Sequence, residues 1–326
     1  MRTGYFWLTM KQDAQDFVRK CTSCQEFANF KHTPNSPLAN IMSPWIHAVW
    51  GLDLIGQLPT AKGQLKYIIV AVDYFSKWVE AEALACISTT KITRFLWKNV
   101  YCRYGVPQTI ITDNGTQFNN PEFISFARDL GTTVRFASVA HPQANGQVEA
   151  VNKKIMQLLK RSLGDAKGLW AEKLPEVLWA LRTTPTEATG RTPFSLMFGS
   201  ECVLPIEQAL PSARVIEFDE VTNDISRRLD LDLLEEDRVA ANIRNLEHKQ
   251  RVARFYNARV REKQFYLGDL VMKRIIPPPA KLRPQWEGPF QITEVLSKGA
   301  YRLSTLGGKE LHRSWNAQYL KDCYKE

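Results

Sequence analysis

Three acidic side chains occupy positions where an acid needs a reason. Asp113 follows the β-rich run Gln108–Thr112 and opens Asp113-Asn114-Gly115, a strong turn signal. Its carboxylate is expected at the tip of a buried strand, aimed out of a sheet edge. Asp53 sits inside the apolar run Trp50–Ile55 (WGLDLI), and an acid within a buried strand is costly unless its charge is compensated. Glu149 lies in His141–Lys154 (HPQANGQVEAVNKK), with 35 residues between it and Asp113. A metal ion held by several carboxylates is such a compensation. Three carboxylates converging above one sheet edge would bind two Mg²⁺ or Mn²⁺ ions, with phosphate oxygens and waters completing the shells. Paired ions of this kind serve in-line phosphoryl transfer: they activate an attacking hydroxyl and stabilise the leaving oxygen.

Each acid also has a plainer reading. Asp-Asn-Gly is an ordinary turn, and Glu149 stands in the first turn of an expected helix, where the helix dipole favours any carboxylate. Asp53 has no such simple alternative. Asp73 is a competitor, because it ends the run Tyr67–Tyr74; we read it as the cap of the turn into Phe75-Ser76.

The elements that must position these acids follow from periodicity. Trp50–Ile55, the near-continuous apolar run Tyr67–Tyr74 and Trp78–Leu84 read as strands, with Gln57–Leu65 a turn between the first two. Thr89–Tyr104 has helical spacing and stops at Gly105-Val106-Pro107. The strand ending at Asp113 is next, then a helix over Pro121–Leu130 and a strand over Thr132–Ala137. After a loop at 140–146 a helix runs over Gln147–Leu163, on which Asn152 and Lys153 share a face with Glu149. A further helix covers Trp170–Arg182, and Thr192–Met197 completes the domain, placed at residues 44–205. The order β-β-β-α-β-α-β-α predicts an α/β fold, a mixed sheet with helices on its faces.

Three segments flank that domain. Residues 1–32 contain a helix over Lys11–Lys20 and then Cys21-Thr22-Ser23-Cys24, half of a tetrahedral zinc site. No His or Cys pair precedes it, and His32 and His47 each stand alone downstream. The abrupt start at Met1 reads as a truncated front end. Residues 212–264 are expected as a helical linker. From Glu217 to Asp237 it has nine acids and two bases, net −7; from Arg238 to Lys263 eight bases and two acids, net +6. Ile225, Leu229, Leu233, Val239, Ile243, Leu246, Val252 and Phe255 recur along it at helical spacing. The plain reading is an amphipathic helix packing on a neighbour through that stripe; the sharper one is an oligomerisation helix whose basic half, with Arg259 and Arg261, touches DNA. Residues 266–322 hold five short strands with glycine turns, the pattern of an SH3-like barrel, with Lys281, Arg283, Lys298, Arg302, Lys309 and Arg313 as a basic face.

Composition agrees with a nucleic-acid partner. The 326-residue chain carries a net charge of +9, with a pI near 9.2, which favours polyanions. No run of 18 apolar residues is present, so no membrane span or membrane partner is expected. No targeting signal is evident at the N-terminus. Six cysteines, scattered apart from Cys21 and Cys24, do not form a disulfide framework.

Several stretches resemble the integrase of gypsy-type long-terminal-repeat retrotransposons and retroviruses. They are Trp50–Asp53 (WGLD), Tyr67–Trp78 (YIIVAVDYFSKW), Thr112–Phe118 (TDNGTQF), His141–Asn152 (HPQANGQVEAVN) and, near the C-terminus, Trp286–Phe290 (WEGPF). The resemblance covers nearly the whole chain and implies an RNase H-like catalytic core, part of a longer polyprotein. It implies metal-dependent trimming of DNA 3′ ends and their transfer into target DNA, with a nuclear site of action and a homo-oligomeric enzyme. By position it implies Asp53, Asp113 and Glu149 as catalytic metal ligands, and Asn152 and Lys153 as donor-end DNA contacts. The family's N-terminal zinc module uses a His-His-Cys-Cys set, of which only Cys21 and Cys24 are present. The alternative function is a DNA-binding remnant of a decayed element; a generic RNase H-fold nuclease or transposase is a third.

Overall fold

In a computed structural model, the chain is described over residues 7–28, 41–137, 146–163, 167–216, 218–258, 260, 264–276, 283–297 and 299–324. It forms two compact units: residues 7–28 with 254–324, and residues 41–137 with 146–253.

The chain opens with helices α1 (Met10–Lys20) and α2 (Thr22–Glu26). The larger unit then starts with strands β1 (Val49–Ile55), β2 (Tyr67–Asp73) and β3 (Val79–Leu84). The expected helix over Thr89–Tyr104 is α3 (Thr89–Leu96), a π-helical turn (Trp97–Tyr101) and α4 (Cys102–Tyr104). The wide turn buries Asn99, Val100 and Tyr101; Asn99 Nδ2 donates to Glu82 (3.1 Å) and the Tyr101 hydroxyl to Thr132 (2.8 Å). Strand β4 (Thr109–Thr112), helix α5 (Pro121–Asp129) and strand β5 (Thr133–Phe136) follow. Then come α6 (Gly146–Leu163), α7 (Trp170–Thr183), α8 (Pro193–Phe198), α9 (Ile206–Ala209), α10 (Ala213–Ile216) and the 38-residue α11 (Glu220–Asn257).

The five strands form one mixed sheet in the order β3-β2-β1-β4-β5, with β1 antiparallel to β2 and parallel to β4. Alternation along each strand sends side chains to two faces. Val49, Val70, Val72 and Ile111 pack against Val148, Ile155, Leu174 and Val177 of α6 and α7. Trp50, Leu52, Ile69 and Ile110 pack against Ile92, Phe95 and Phe123 of α3 and α5. This is the RNase H-like arrangement, with β1 at the centre.

Helix α11 corrects one expectation. The apolar stripe read as its packing face is the exposed one: Ile225, Leu229, Val239 and Ile243 are each more than half exposed. The buried residues are Leu234, Ala241, Asn245 and Ala253, and most of these are small or polar. Between 220 and 253 the helix is part of the larger unit. Arg238 Nε donates to the Leu196 carbonyl (3.1 Å), Arg191 pairs with Asp237, and Lys249 donates to the Ile41 carbonyl.

In the smaller unit β6 (Leu270–Arg274), β7 (Trp286–Ser297), β8 (Ala300–Thr305), β9 (Trp315–Asn316) and β10 (Leu320–Asp322) form an antiparallel sheet in the order β10-β6-β7-β8-β9. Bulges on both sides of β7 curve it into a barrel-like module over Phe265, Val271, Ile292, Tyr301, Leu303 and Leu320. The first helices pack on this module. Gln285 N donates to Glu26 O (2.9 Å) and Trp286 Nε1 to Ala28 O (2.7 Å). Gln25 Nε2 donates to Tyr324 O (2.9 Å), Tyr324 N returns a bond to Gln25 Oε1 (3.0 Å), and Lys321 donates to Gln25 O. Among the described residues, no helix is long and apolar enough to cross a membrane.

Candidate active site

The sheet aligns Asp53 with Asp113. β1 and β4 run parallel with Gly51 opposite Ile111, so Asp53 and Asp113 each stand two residues beyond that pair. Period-two alternation puts both on the face covered by α6. Asp113 is half-buried just past the end of β4, and its Oδ1 accepts from Gly115 N (3.2 Å), the bond that closes the Asp-Asn-Gly turn. Asp53 is half-buried too; its Oδ1 accepts from Leu54 N (2.8 Å).

Glu149 reaches this place because Gly51 has no side chain. A methyl on Gly51 would collide with the Val148 side chain and the Tyr74 ring. Without it, the first turn of α6 rests directly on β1, Val148 is fully buried, and its neighbour Glu149 is left exposed at the rim. One turn on, Asn152 Nδ2 donates to Asp53 Oδ2 (2.8 Å). A second tie holds the start of α6: Lys77 Nζ donates to Gln147 Oε1 (2.6 Å) and to the Tyr74 carbonyl (2.7 Å). Burial, and the nearby Lys249 charge, lower the Lys77 ammonium to about 7 against the opposing pull of Asp73.

The acids act on one another. Burial pushes the Asp53 carboxyl up to about 6; the charges of Asp113 and Glu149 add to the rise, and the bonds from Leu54 and Asn152 oppose it. Tyr74 is raised as well, by burial and then by the charges of Asp53 and Glu149. The three acids therefore share one field. In this conformation no group of three His, Cys, Asp or Glu side chains among the described residues is close enough to hold a metal. Asp113 Oδ1 is on Gly115 N in its own turn, and the Asp53 carboxylate is on Leu54 N and Asn152 Nδ2.

Asp73 is fully buried and accepts from Ser76 N (2.8 Å), Ser76 Oγ (2.6 Å) and His47 N (3.1 Å). It caps the turn after β2. Asn152, expected at a DNA end, has its amide on Asp53, while Lys153 on the next position of α6 is exposed. Arg283 is exposed; Arg302 is paired with Glu294 (2.9 Å), and Arg313 lies over the Trp315 ring. Arg259, Arg261, Lys281 and Lys298 lie outside the described residues, as do His32 and the loop residues 140–145. Cys21 precedes α2 and Cys24 lies within it; a hydrogen bond with Cys21 raises the Cys24 thiol, with burial and Cys21's charge adding to the rise. The positioning roles of Gly51, Tyr74 and Lys77 had no signal in the sequence, since each depends on a contact with a distant segment.

Residues 47–142 match the Integrase core domain family, and residues 265–324 match a domain of unknown function, DUF8803. The Pro-Pol polyprotein of feline foamy virus is 27% identical over 299 residues, covering 91% of this chain and 24% of that protein. The Transposon Tf2-3 polyprotein of Schizosaccharomyces pombe is 26% identical over 310 residues, covering 92% of this chain and 22% of that protein. The chain thus spans about a quarter of the length of the curated relatives it matches. Its fold is similar to a chain in the cryoEM structure of a simian T-cell lymphotropic virus intasome in complex with PP2A regulatory subunit B56 gamma. That match has a TM-score of 0.55 and 17% identity, over 99% of this chain and 93% of that one. Residues 47–142 thus match the Integrase core domain, within a chain that is similar to retroviral and transposon polyproteins and shares its fold with a chain of a retroviral intasome.

Proposed function

We propose that the chain is a polynucleotidyl transferase that trims the 3′ ends of retroelement DNA and joins them to a target duplex. The observation that carries this reading is the placement of Asp53 on β1, of Asp113 just past the end of the parallel β4 and of Glu149 on a helix seated over Gly51, with the charges of Asp113 and Glu149 adding to the rise of Asp53. An all-carboxylate donor set suits hard divalent cations, and a half-buried Asp53 facing two like charges calls for positive charge. Asp53, Asp113 and Glu149 would hold two Mg²⁺ or Mn²⁺ ions. Bound there, such ions would ease deprotonation of the attacking oxygen and offset charge on the leaving one.

The chain's own part is positioning. The β1–β4 register sets Asp53 beside Asp113, Asn152 orients Asp53, and Lys77 fixes the start of the helix that carries Glu149. In trimming, water attacks a phosphodiester and frees a 3′-hydroxyl. In joining, that hydroxyl attacks a target phosphodiester; one P–O bond forms as another breaks, so no other energy source is needed. On this reading Asp53, Asp113 and Glu149 are the catalytic residues and DNA is the substrate and partner; the family resemblance implies a homo-oligomer that acts in the nucleus.

The test is incubation of the full chain with a blunt duplex and a plasmid target in Mg²⁺ or Mn²⁺. Trimmed ends and joined products are expected. Cutting without joining would instead support a generic nuclease, and duplex binding without either product a remnant. Two further results are expected. Asn152→Ala removes the donor that holds Asp53 and should lower activity about 10–100-fold, as loss of a group that orients a metal ligand does; unchanged turnover would refute that role. Lys153→Ala and Arg283→Ala should each reduce the salt slope of log K for duplex binding by about 0.9, for one lost phosphate contact. Slopes equal to wild type would remove both from the DNA surface.

A further inference from the structure

Helix α11 is apolar on two opposite sides. Leu234, Ala241 and Asn245 face the core. At 3.6 residues per turn, Ile225, Leu229, Val239, Ile243 and Leu246 fall on the other side, within an arc of about 100°. These five are 64%, 56%, 58%, 54% and 40% exposed. The helix is also charged by halves: residues 220–237 carry seven acids and two bases, residues 238–257 five bases and one acid. A nucleic acid laid along this stripe would meet the acidic half. A second copy in parallel would set acid on acid and base on base. A second copy running antiparallel sets each acidic half on a basic one.

We propose that the exposed stripe of α11 is a homotypic interface, in which two copies of this chain pair their α11 helices antiparallel about a twofold axis near Glu236. An alignment with Leu229 opposite Ile243 also brings Ile225 beside Leu246 and Leu233 opposite Val239. Isologous contacts of this kind bury the same patch on both partners, and they leave Glu236 of each copy near its own mate. The inference concerns assembly and stands apart from the chemistry assigned to the acids at the sheet edge.

Sedimentation equilibrium of the full chain tests it. A concentration-dependent dimer is expected. Leu229→Glu with Ile243→Glu should weaken association at least tenfold, with circular dichroism and thermal midpoint unchanged. Glu236→Leu should strengthen it, a gain that misfolding cannot mimic. A chain whose mass distribution ignores all of these changes, whether monomeric or joined through another face, would overturn the proposal.

Discussion

Asp113→Asn is expected to yield neither trimmed nor joined DNA above background. The loss should exceed the roughly 10–100-fold seen when only a ligand's supporting partner is removed. The amide has the carboxylate's shape, and its oxygen still accepts from Gly115 N, the bond that closes the turn after β4. Folding and duplex affinity should therefore survive while the negative charge is gone. End-joining assays beside filter binding and a thermal melt separate these effects. Wild-type activity in the variant would remove Asp113 from the mechanism. Lost activity together with lost duplex binding would mean that the turn, and not the charge, had been disturbed.

Asp53→Asn should be equally inactive and yet more stable. Burial lifts the folded carboxyl to about 6, from an ordinary value of 3.8. A raised carboxyl favours the native state while protonated, so its cost is absent below about pH 4. The cost grows as pH rises from about 4 to 6 and is complete above that. At pH 7.5 the neutral amide should add roughly 1–2 kcal/mol, the shift discounted for partial exposure, and raise Tm by a few degrees. The gain should vanish at pH 4. The substitution leaves no bond unmade, because Asn152 can turn its buried, unpartnered Oδ1 toward the new amide. Mn²⁺ should raise the Tm of the wild type through binding to the native state and have little effect on the variant. A variant less stable than wild type at pH 7.5 would contradict the charge-burial account.

Much of this site was legible in the chain because strands announce their faces. WGLDLI and TIITDNG each place an acid in or just past a buried strand, and period two fixes which neighbours share its side. The register between them was not legible: β1 and β4 are joined through two strands and a helix, and only the folded sheet sets Gly51 against Ile111. Gly51 itself gave no signal, since the helix it admits lies almost a hundred residues away. The family resemblance implies Asn152 as a DNA contact, whereas its bond to Asp53 comes from the fold and could not be read from the chain. In α11 the large apolar residues drew attention to the wrong side. Close packing there needs small side chains such as Ala241 and Ala253, which hydrophobic periodicity overlooks.

The bonds between α2 and the last strands bear on how this chain is made. Gln25 and Tyr324 exchange hydrogen bonds across 299 residues of sequence, and Trp286 reaches back to Ala28. During synthesis the first helices emerge early and wait, their docking surface not yet translated, while the whole RNase H-like sheet is assembled. Contacts of such long range close late and slowly. Loss of β10 and Tyr324 would therefore also strip α1 and α2 of their partner, so damage there is felt in helices 299 residues earlier.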